Sequence, residues 1–120
     1  MKNKRTIFCM ALLLASGTGM ADDVILTNKN LNQGHEKQRV IPVDVDIDRH
    51  LLGIHFRDRV KDVNVSVSGP DGIVYNEWFT TPAARSVQVD LSPCQDGRYE
   101  ILFFDAEGNE AEGSFVKEED

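Results

Sequence analysis

The cysteine Cys94 lies in the stretch DLSPCQDGRYEI (90–101) and is the first candidate for chemistry in this sequence. Its thiol has three interpretations: a nucleophile, one half of an intermolecular disulfide, or a core side chain that carries sulfur. Reactive cysteines need solvent exposure and a nearby cation or base that stabilises the thiolate. The next residues are Gln95 and Asp96, and a carboxylate disfavours the thiolate. We therefore expect Cys94 to be a structural residue of the core.

The acidic stretch DVDID (44–48) is the candidate for a metal site, because alternate carboxylates also open calcium-binding loops. Such a loop needs Gly at its sixth position and Glu at its twelfth, where this chain has Arg49 and His55. The alternating valines predict a strand instead, along which carboxylates of one face lie ~6–7 Å apart. HEKQR (35–39) lacks the second histidine of a zinc-protease helix. We expect no metal and no cofactor.

The hydrophobic residues repeat with a period of two, which indicates the elements that position these candidates. Clean alternation of apolar and polar residues occurs in VDVDID (43–48), LGIHF (52–56), VNVSVS (63–68) and VQVDL (87–91), and two more apolar runs are IVYNEWF (73–79) and YEILFF (99–104). Alternation is typical of antiparallel strands with one buried face. Turn sequences such as GPDG (69–72) separate the runs. The pattern predicts an all-β fold, an antiparallel immunoglobulin-like β-sandwich of about seven strands.

In such a sandwich, the stretch around Cys94 connects two strands. Tyr99 begins the penultimate strand, where a tyrosine corner places a hydroxyl that hydrogen-bonds back to the connection. Antibody domains carry a disulfide cysteine two residues later, and this chain has Ile101 there. We predict that Tyr99 locks the connection, that Gly97 permits its turn, and that Cys94 fills the space beneath it. Cys9 lies in the segment expected to be removed on export, so we expect no disulfide in the mature domain.

The first 21 residues predict export. They have a basic start, an apolar run over 7–15 and small residues that end at Ala21, which is the order of a signal peptide. The apolar run is too short to cross a bilayer. We expect cleavage after Ala21, no stable membrane insertion, and a periplasmic or extracellular location.

The remaining 99 residues divide into three parts. Residues 22–38, rich in Asn and Gln, predict a flexible leader, 39–116 the sandwich, and 117–120 a solvated acidic tail. Removing residues 1–21 takes away three positive charges and no negative ones, so the formal net charge falls from −7 to −10. This acidity argues against nucleic-acid binding, which depends on clustered Lys and Arg. Sheet edges also pair with strands of other chains, so a homo-oligomer through an edge strand is one expected partner mode.

Trp78 and Phe79 are the candidate binding residues. Within 73–79, alternation puts Ile73, Tyr75 and Phe79 on one face of the strand and Trp78 on the other. Only one of these faces can be core, so either Trp78 or the Tyr75 and Phe79 pair faces solvent. An outward aromatic ring can stack on a sugar or anchor a protein partner. The alternative is that the ring only covers the sheet edge.

The segments GPDGIVY (69–75), VDLSPCQDGRYEI (89–101) and DAEGNEAEGSF (105–115) carry a resemblance to a known family. Together they resemble the small exported domains of Bacteroidetes grouped as domain-of-unknown-function family 3244. The resemblance covers about residues 40–116 and implies an immunoglobulin-like sandwich with no assigned activity. The middle segment is also similar to C-terminal sorting domains of type IX secretion cargo. In the shared pattern the position of Cys94 is usually aliphatic, so this chain departs from it there.

We find no Gly-rich phosphate loop and no serine in a nucleophile-elbow context, so the sequence does not predict an enzyme. The predicted function is an exported, non-catalytic module that interacts with an unknown protein or glycan. The alternative function is a sorting or adhesion module related to the type IX secretion domains.

Overall fold

The computed structural model describes residues 11–12, 21–30 and 40–118, and the fold is that of these residues. They form ten strands: β1 (Ala11–Leu12), β2 (Asp22–Val24), β3 (Thr27–Asn30), β4 (Val43–Asp48), β5 (Leu51–Phe56), β6 (Val60–Gly69), β7 (Gly72–Thr81), β8 (Arg85–Asp90), β9 (Gly97–Asp105) and β10 (Asn109–Lys117). The first sheet has the order β1-β8-β5-β4-β2 and the second the order β3-β10-β9-β6-β7. All strand pairs are antiparallel, and the described residues contain no helix. The prediction of an all-β sandwich is confirmed.

The core lies between the two sheets because each strand turns its alternate apolar residues inward. In β4 the valines and the isoleucine are buried while the aspartates between them are not. The buried cluster contains, from the first sheet, Val43, Val45, Ile47, Leu52, Ile54, Phe56, Val87 and Val89, and from the second sheet Val63, Val65, Val67, Tyr75, Phe79, Tyr99, Ile101, Phe103, Ala111 and Phe115. Phe56 joins the layers, with its ring centroid 5.3 Å from that of Phe79 and 6.3 Å from that of Phe103. Burying a side chain of this size stabilises the fold by about 1.5–3 kcal/mol.

The segment 22–30 differs from the expected flexible leader. Its residues form β2, which pairs with β4, and then β3, which pairs with β10, so the segment crosses from one sheet to the other. The crossing passes close to Gly113, where a Cβ would lie 2.6 Å from the carbonyl oxygen of Ile25. Val24 is buried in the core, which supplies a reason for the segment to be ordered. Residues 31–39 lie outside the described residues.

Both chain ends bear on the predicted boundaries. Ala11 and Leu12 pair with Val89 and Gln88 at the edge of β8, and the rest of the predicted signal peptide, apart from Ala21, lies outside the described residues. At the other end, β10 includes Lys117, which the sequence analysis placed in the solvated tail. Residues 119–120 also lie outside the described residues.

Candidate functional site

The connection between β8 and β9 is held by the tyrosine at the start of β9. The Tyr99 hydroxyl donates a hydrogen bond of 2.6 Å to the carbonyl oxygen of Gln95. Its ring lies directly against Gly69, where a Cβ would overlap the ring, and it stacks on Phe115 at 5.7 Å between centroids. Gly97 has φ of 143°, a left-handed conformation that favours glycine. This geometry is that of a tyrosine corner.

A second side chain, Lys117, holds the same connection from β10. Its Nζ donates hydrogen bonds to the carbonyl oxygen of Cys94 at 2.7 Å and to Asp96 Oδ1 at 2.8 Å. The side chain of Lys117 is only 1% exposed, whereas that of Asp96 is 57% exposed. This role was not predicted from the sequence, although Lys117 lies two residues after the buried Phe115 and therefore on the same face of β10.

Cys94 lies in the core beneath this connection. It is buried and forms no disulfide among the described residues. Its backbone N–H donates to the carbonyl oxygen of Leu91, and its own carbonyl oxygen accepts from Lys117. A buried thiol of this kind behaves as a small apolar group, so the surroundings of Cys94 give no support to thiol catalysis.

The two aromatic candidates on β7 point in opposite directions. Phe79 is buried against Phe56, with the Arg85 guanidinium 5.8 Å from its ring centroid, and it is therefore removed from the candidate binding residues. Trp78 is 58% exposed and lies on the side of the second sheet that faces away from the core. Tyr75 and Phe79 lie on the core side of β7 because they pair with buried valines of β6.

We call this side the outer face of the second sheet, and it carries an aromatic pair. Trp78 lies opposite Asn64 on β6, and Asn64 lies opposite Phe104 on β9. The rings of Trp78 and Phe104 meet edge to face, with centroids 5.7 Å apart and an angle of 85°. Asn64, beside this pair, is buried and exchanges two side-chain hydrogen bonds of 3.2 and 3.3 Å with Asn76.

A groove of about 430 Å³ runs across the outer face beside the aromatic pair. Residues from all five strands line it, and its small side chains are Ser66, Ser68 and Ser114. Ile73 and Ile25 also line the groove, and they are 66% and 81% exposed. The side chains of these two isoleucines therefore project toward solvent instead of filling the groove.

Ile73 reaches this face through an irregularity in strand pairing. Simple alternation predicted Ile73 on the same side of β7 as Tyr75, and Tyr75 lies on the core side. The register between β6 and β7 shifts after Val67, so that Ser68 pairs with Ile73. A bulge of this kind turns a side chain to the other face, and it corrects the sequence-based assignment.

Exposed large apolar side chains are concentrated on this face. Among the described residues they are Ile25, Val40, Ile73, Trp78 and Val116. Val116 lies two residues after the groove residue Ser114 on the same face of β10, and Ile25 lines the groove from the crossover, so four of the five lie on or beside the outer face of the second sheet. Single exposed apolar residues are ordinary, but clustering marks a contact surface.

The outer face of the first sheet carries a different arrangement, which the sequence analysis missed. His55 hydrogen-bonds through Nε2 to Asp46 at 3.0 Å and through Nδ1 to Ser86 at 2.9 Å. Gly53 makes this possible, because a Cβ there would collide with both Asp46 and His55. No sequence motif predicts the relay, since its members come from three strands and meet only through their register.

The Asp46–His55–Ser86 relay shares its residue types with serine hydrolases, yet its setting does not support that chemistry. A hydrolase needs a substrate cavity and donors for an oxyanion. None of the relay's three residues lines the cavities of about 770, 430 and 480 Å³ elsewhere among the described residues. His55 and Asp46 are each about one-third exposed on an open sheet surface. The arrangement therefore ties three strands together on that surface.

The described part of the chain contains no group of three or more His, Cys, Asp or Glu side chains arranged to hold a metal ion. It also contains no helix with the length and hydrophobicity needed to span a membrane. Asp90, whose pKa is lowered, lies outside the groove. The hydrogen bond from the Ser92 backbone N–H is the main cause, and the nearby His50 and Lys117 lower the pKa further.

The two antiparallel sheets, the shared core and the tyrosine corner define an immunoglobulin-like β-sandwich. The chain belongs to the family described as Domain of unknown function (DUF3244), whose sequence profile matches residues 24–116. The predicted family is confirmed.

A solved structure supports the same fold. It is the 1.70 Å crystal structure of a DUF3244 family protein with an immunoglobulin-like β-sandwich fold from Bacteroides vulgatus. That protein is 18% identical to this chain, the match covers 82% of this chain and 100% of the other, and the TM-score is 0.63. At this identity the likeness shows the fold alone. None of the curated proteins matches the chain.

Proposed function

We propose that this protein is an exported, non-catalytic module that binds another protein through the outer face of the second sheet. The observation that carries the proposal is the concentration of exposed apolar side chains there, with Trp78 at 58% exposure and Ile73 at 66%. Tryptophan is among the residues that contribute most to protein interfaces. A sheet face on which exposed aromatic and aliphatic side chains are surrounded by polar ones has the anatomy of such an interface.

The geometry favours a protein partner over a glycan. Trp78 and Phe104 stand at 85° to each other, so the two rings do not form a level platform on which successive sugar rings would stack. The isoleucines at positions 25 and 73 are aliphatic and exposed, and hydroxyl-rich sugars cover aliphatic surface poorly. A protein partner with apolar side chains would remove this surface from water, at about 25 cal/mol per Å² before the costs of association.

Export is supported by the order of features in residues 1–21. A formal net charge of −10 over residues 22–120 favours solubility. Non-catalytic action is supported by the open sheet surface on which the Asp46–His55–Ser86 relay lies, where His55 and Asp46 are each about one-third exposed.

The test is affinity capture from a native envelope extract with residues 22–120 immobilised. The double variant Ile73→Thr/Trp78→Thr keeps β-propensity while removing the apolar surface, and we expect it to lose the partner that the wild-type domain retains. Val40→Thr is the matched control, because Val40 is exposed but lies elsewhere. Equal recovery of the same proteins by the wild type and the double variant would contradict the proposal.

A further inference from the structure

We propose that the segment that occupies the groove on the outer face of the second sheet is an extended, basic stretch of polypeptide with apolar residues at its ends. This inference rests on the proposed function and adds the chemistry of the partner. The observations that support it are the charges in the groove, the length of the groove, and the exposed Ile73 and Ile25 side chains at its two ends.

The charge of the groove is negative. Glu100 and Glu112 both line it, and both are exposed. Within the described residues neither carboxylate forms an ion pair or a side-chain hydrogen bond. Two cations flank the carboxylates in the register: Arg98, which hydrogen-bonds to the Ser114 hydroxyl, and Lys29, which lies opposite Glu110. A Lys or Arg of a partner would meet two available acceptors, and opposite charges across an interface set specificity and speed association.

The two carboxylates are placed for alternate residues of one extended chain. Glu100 pairs with Ser114 and Glu112 pairs with Leu102, so the carboxylates are diagonal neighbours on adjacent strands. Diagonal neighbours lie roughly 7–8 Å apart. Alternate side chains of an extended peptide lie about 6.6–7 Å apart on one side, which matches this spacing.

The groove also fixes the length of its occupant. It crosses all five strands, from Ile73 on β7 to Thr27 on β3. Four inter-strand spacings of ~4.8 Å give about 19 Å. A peptide of about seven extended residues spans this distance. Its terminal apolar side chains would contact Ile73 at one end and Ile25 at the other. Both isoleucines are exposed in the domain alone.

The experiment uses residues 22–120 with amide chemical shifts as the readout and a synthetic peptide Val-Ser-Lys-Ser-Lys-Ser-Val as the probe. Its two valines and two lysines lie on one side when the chain is extended. We expect shifts confined to the groove residues, a binding strength at least fivefold greater than for the peptide with Glu in place of Lys, and weakening by salt.

Two variants separate local charge from overall charge. Glu100→Gln/Glu112→Gln is expected to weaken binding of the lysine peptide at least threefold, because it removes both negative charges and leaves only neutral acceptors. Asp23→Asn/Asp48→Asn carries the same change in net charge outside the groove lining, and we expect wild-type binding from it.

Three results would overturn the inference: equal binding of the lysine and glutamate peptides, shifts centred outside the groove, or a neutral hexasaccharide that shifts the same amides when the lysine peptide does not. Such a failure differs from a failure of the proposed function. If the capture experiment still depends on Ile73 and Trp78, the face binds a protein of another chemistry.

Discussion

At the scale of single residues, Tyr75 is a core side chain with a polar group that the fold does not use. It is buried on β7, and its hydroxyl has no hydrogen-bond partner among the described residues. Burial, and secondly the nearby Glu77, raises its pKa to about 12, while Arg85 acts in the opposite direction. An unsatisfied buried hydroxyl costs free energy that a phenyl ring of the same shape would not.

We therefore expect Tyr75→Phe to raise the free energy of unfolding at neutral pH by about 1 kcal/mol. The folded-state pKa lies above the ordinary value of 10.0, so the folded protein holds the proton more tightly than the unfolded chain. The stability linked to this proton is complete below pH 10.0 and is lost as the pH rises toward about 12. Urea unfolding at neutral and alkaline pH measures both effects, and an identical alkaline loss in the variant would contradict this explanation.

Lys117 is the second residue whose environment makes a prediction. Lys117→Met keeps the buried stem but removes the donor to the Cys94 carbonyl oxygen, and we expect a loss of about 1–3 kcal/mol in unfolding free energy. Lys61→Met, at an exposed position of β6, is the matched control and is expected to change stability by less than about 0.5 kcal/mol. Urea unfolding of both variants is the measurement. Equal stability of the two would show that the hydrogen bond from Lys117 contributes nothing.

At the scale of the elements, the connection between β8 and β9 depends on the absence of a side chain at the end of β6. A Cβ at Gly69 would overlap the ring of Tyr99, so we expect Gly69→Ala to destabilise the domain by about 1–3 kcal/mol through overpacking. Ser68→Ala, one residue earlier and on the outer face, is expected to be near neutral. Thermal unfolding of the two variants distinguishes them, and a wild-type melting temperature for Gly69→Ala would refute the role of this contact.

The elements of the sandwich were predictable wherever alternation was clean. The run 43–48 coincides with β4, because each Val or Ile is buried and each Asp between them is left at the surface. β2 and β3 were less evident, since the pairing of 22–30 depends on Gly113 in the last strand. The placement of Ile73 required the bulge after Val67, and local periodicity contains no signal for a shift of register.

The candidate site was predictable only in part, for the same reason. The choice between Trp78 and Phe79 is made by the strand that pairs with β7, and the alternation of β7 alone leaves both open. The Asp46–His55–Ser86 relay and the Glu100 and Glu112 pair each join residues from different strands. Their proximity follows from register across the sheet, which the sequence of one strand does not specify.

At the scale of the whole molecule, the N-terminal segment decides which surfaces the mature protein presents. If residues 1–21 are removed on export, β1 is removed with them, and the edge of β8 loses its pairing with Ala11 and Leu12. We expect the protein recovered from the periplasm or medium of an expressing cell to begin at Asp22. Intact-mass measurement with N-terminal sequencing tests this, and a recovered chain that still contains residues 1–21 would contradict it.

The domain as a whole presents two different outer faces. On the first sheet, Asp44 pairs with Arg57 at 3.1 Å and Asp46 pairs with His55 at 3.0 Å. On the second sheet, exposed Ile, Trp and Val side chains lie beside Glu100 and Glu112, which form no ion pair within the described residues. The exposed apolar surface is therefore concentrated on the second sheet, and the proposed function rests on this asymmetry.

Site-specific photo-cross-linking in the native cell envelope tests that claim most directly. A benzophenone side chain replaces Ile73 or Val116 on the outer face of the second sheet, and Asp44 on the outer face of the first. We predict protein adducts from positions 73 and 116 and none from position 44. Adducts from position 44 alone, or equal adducts from both faces, would contradict the account.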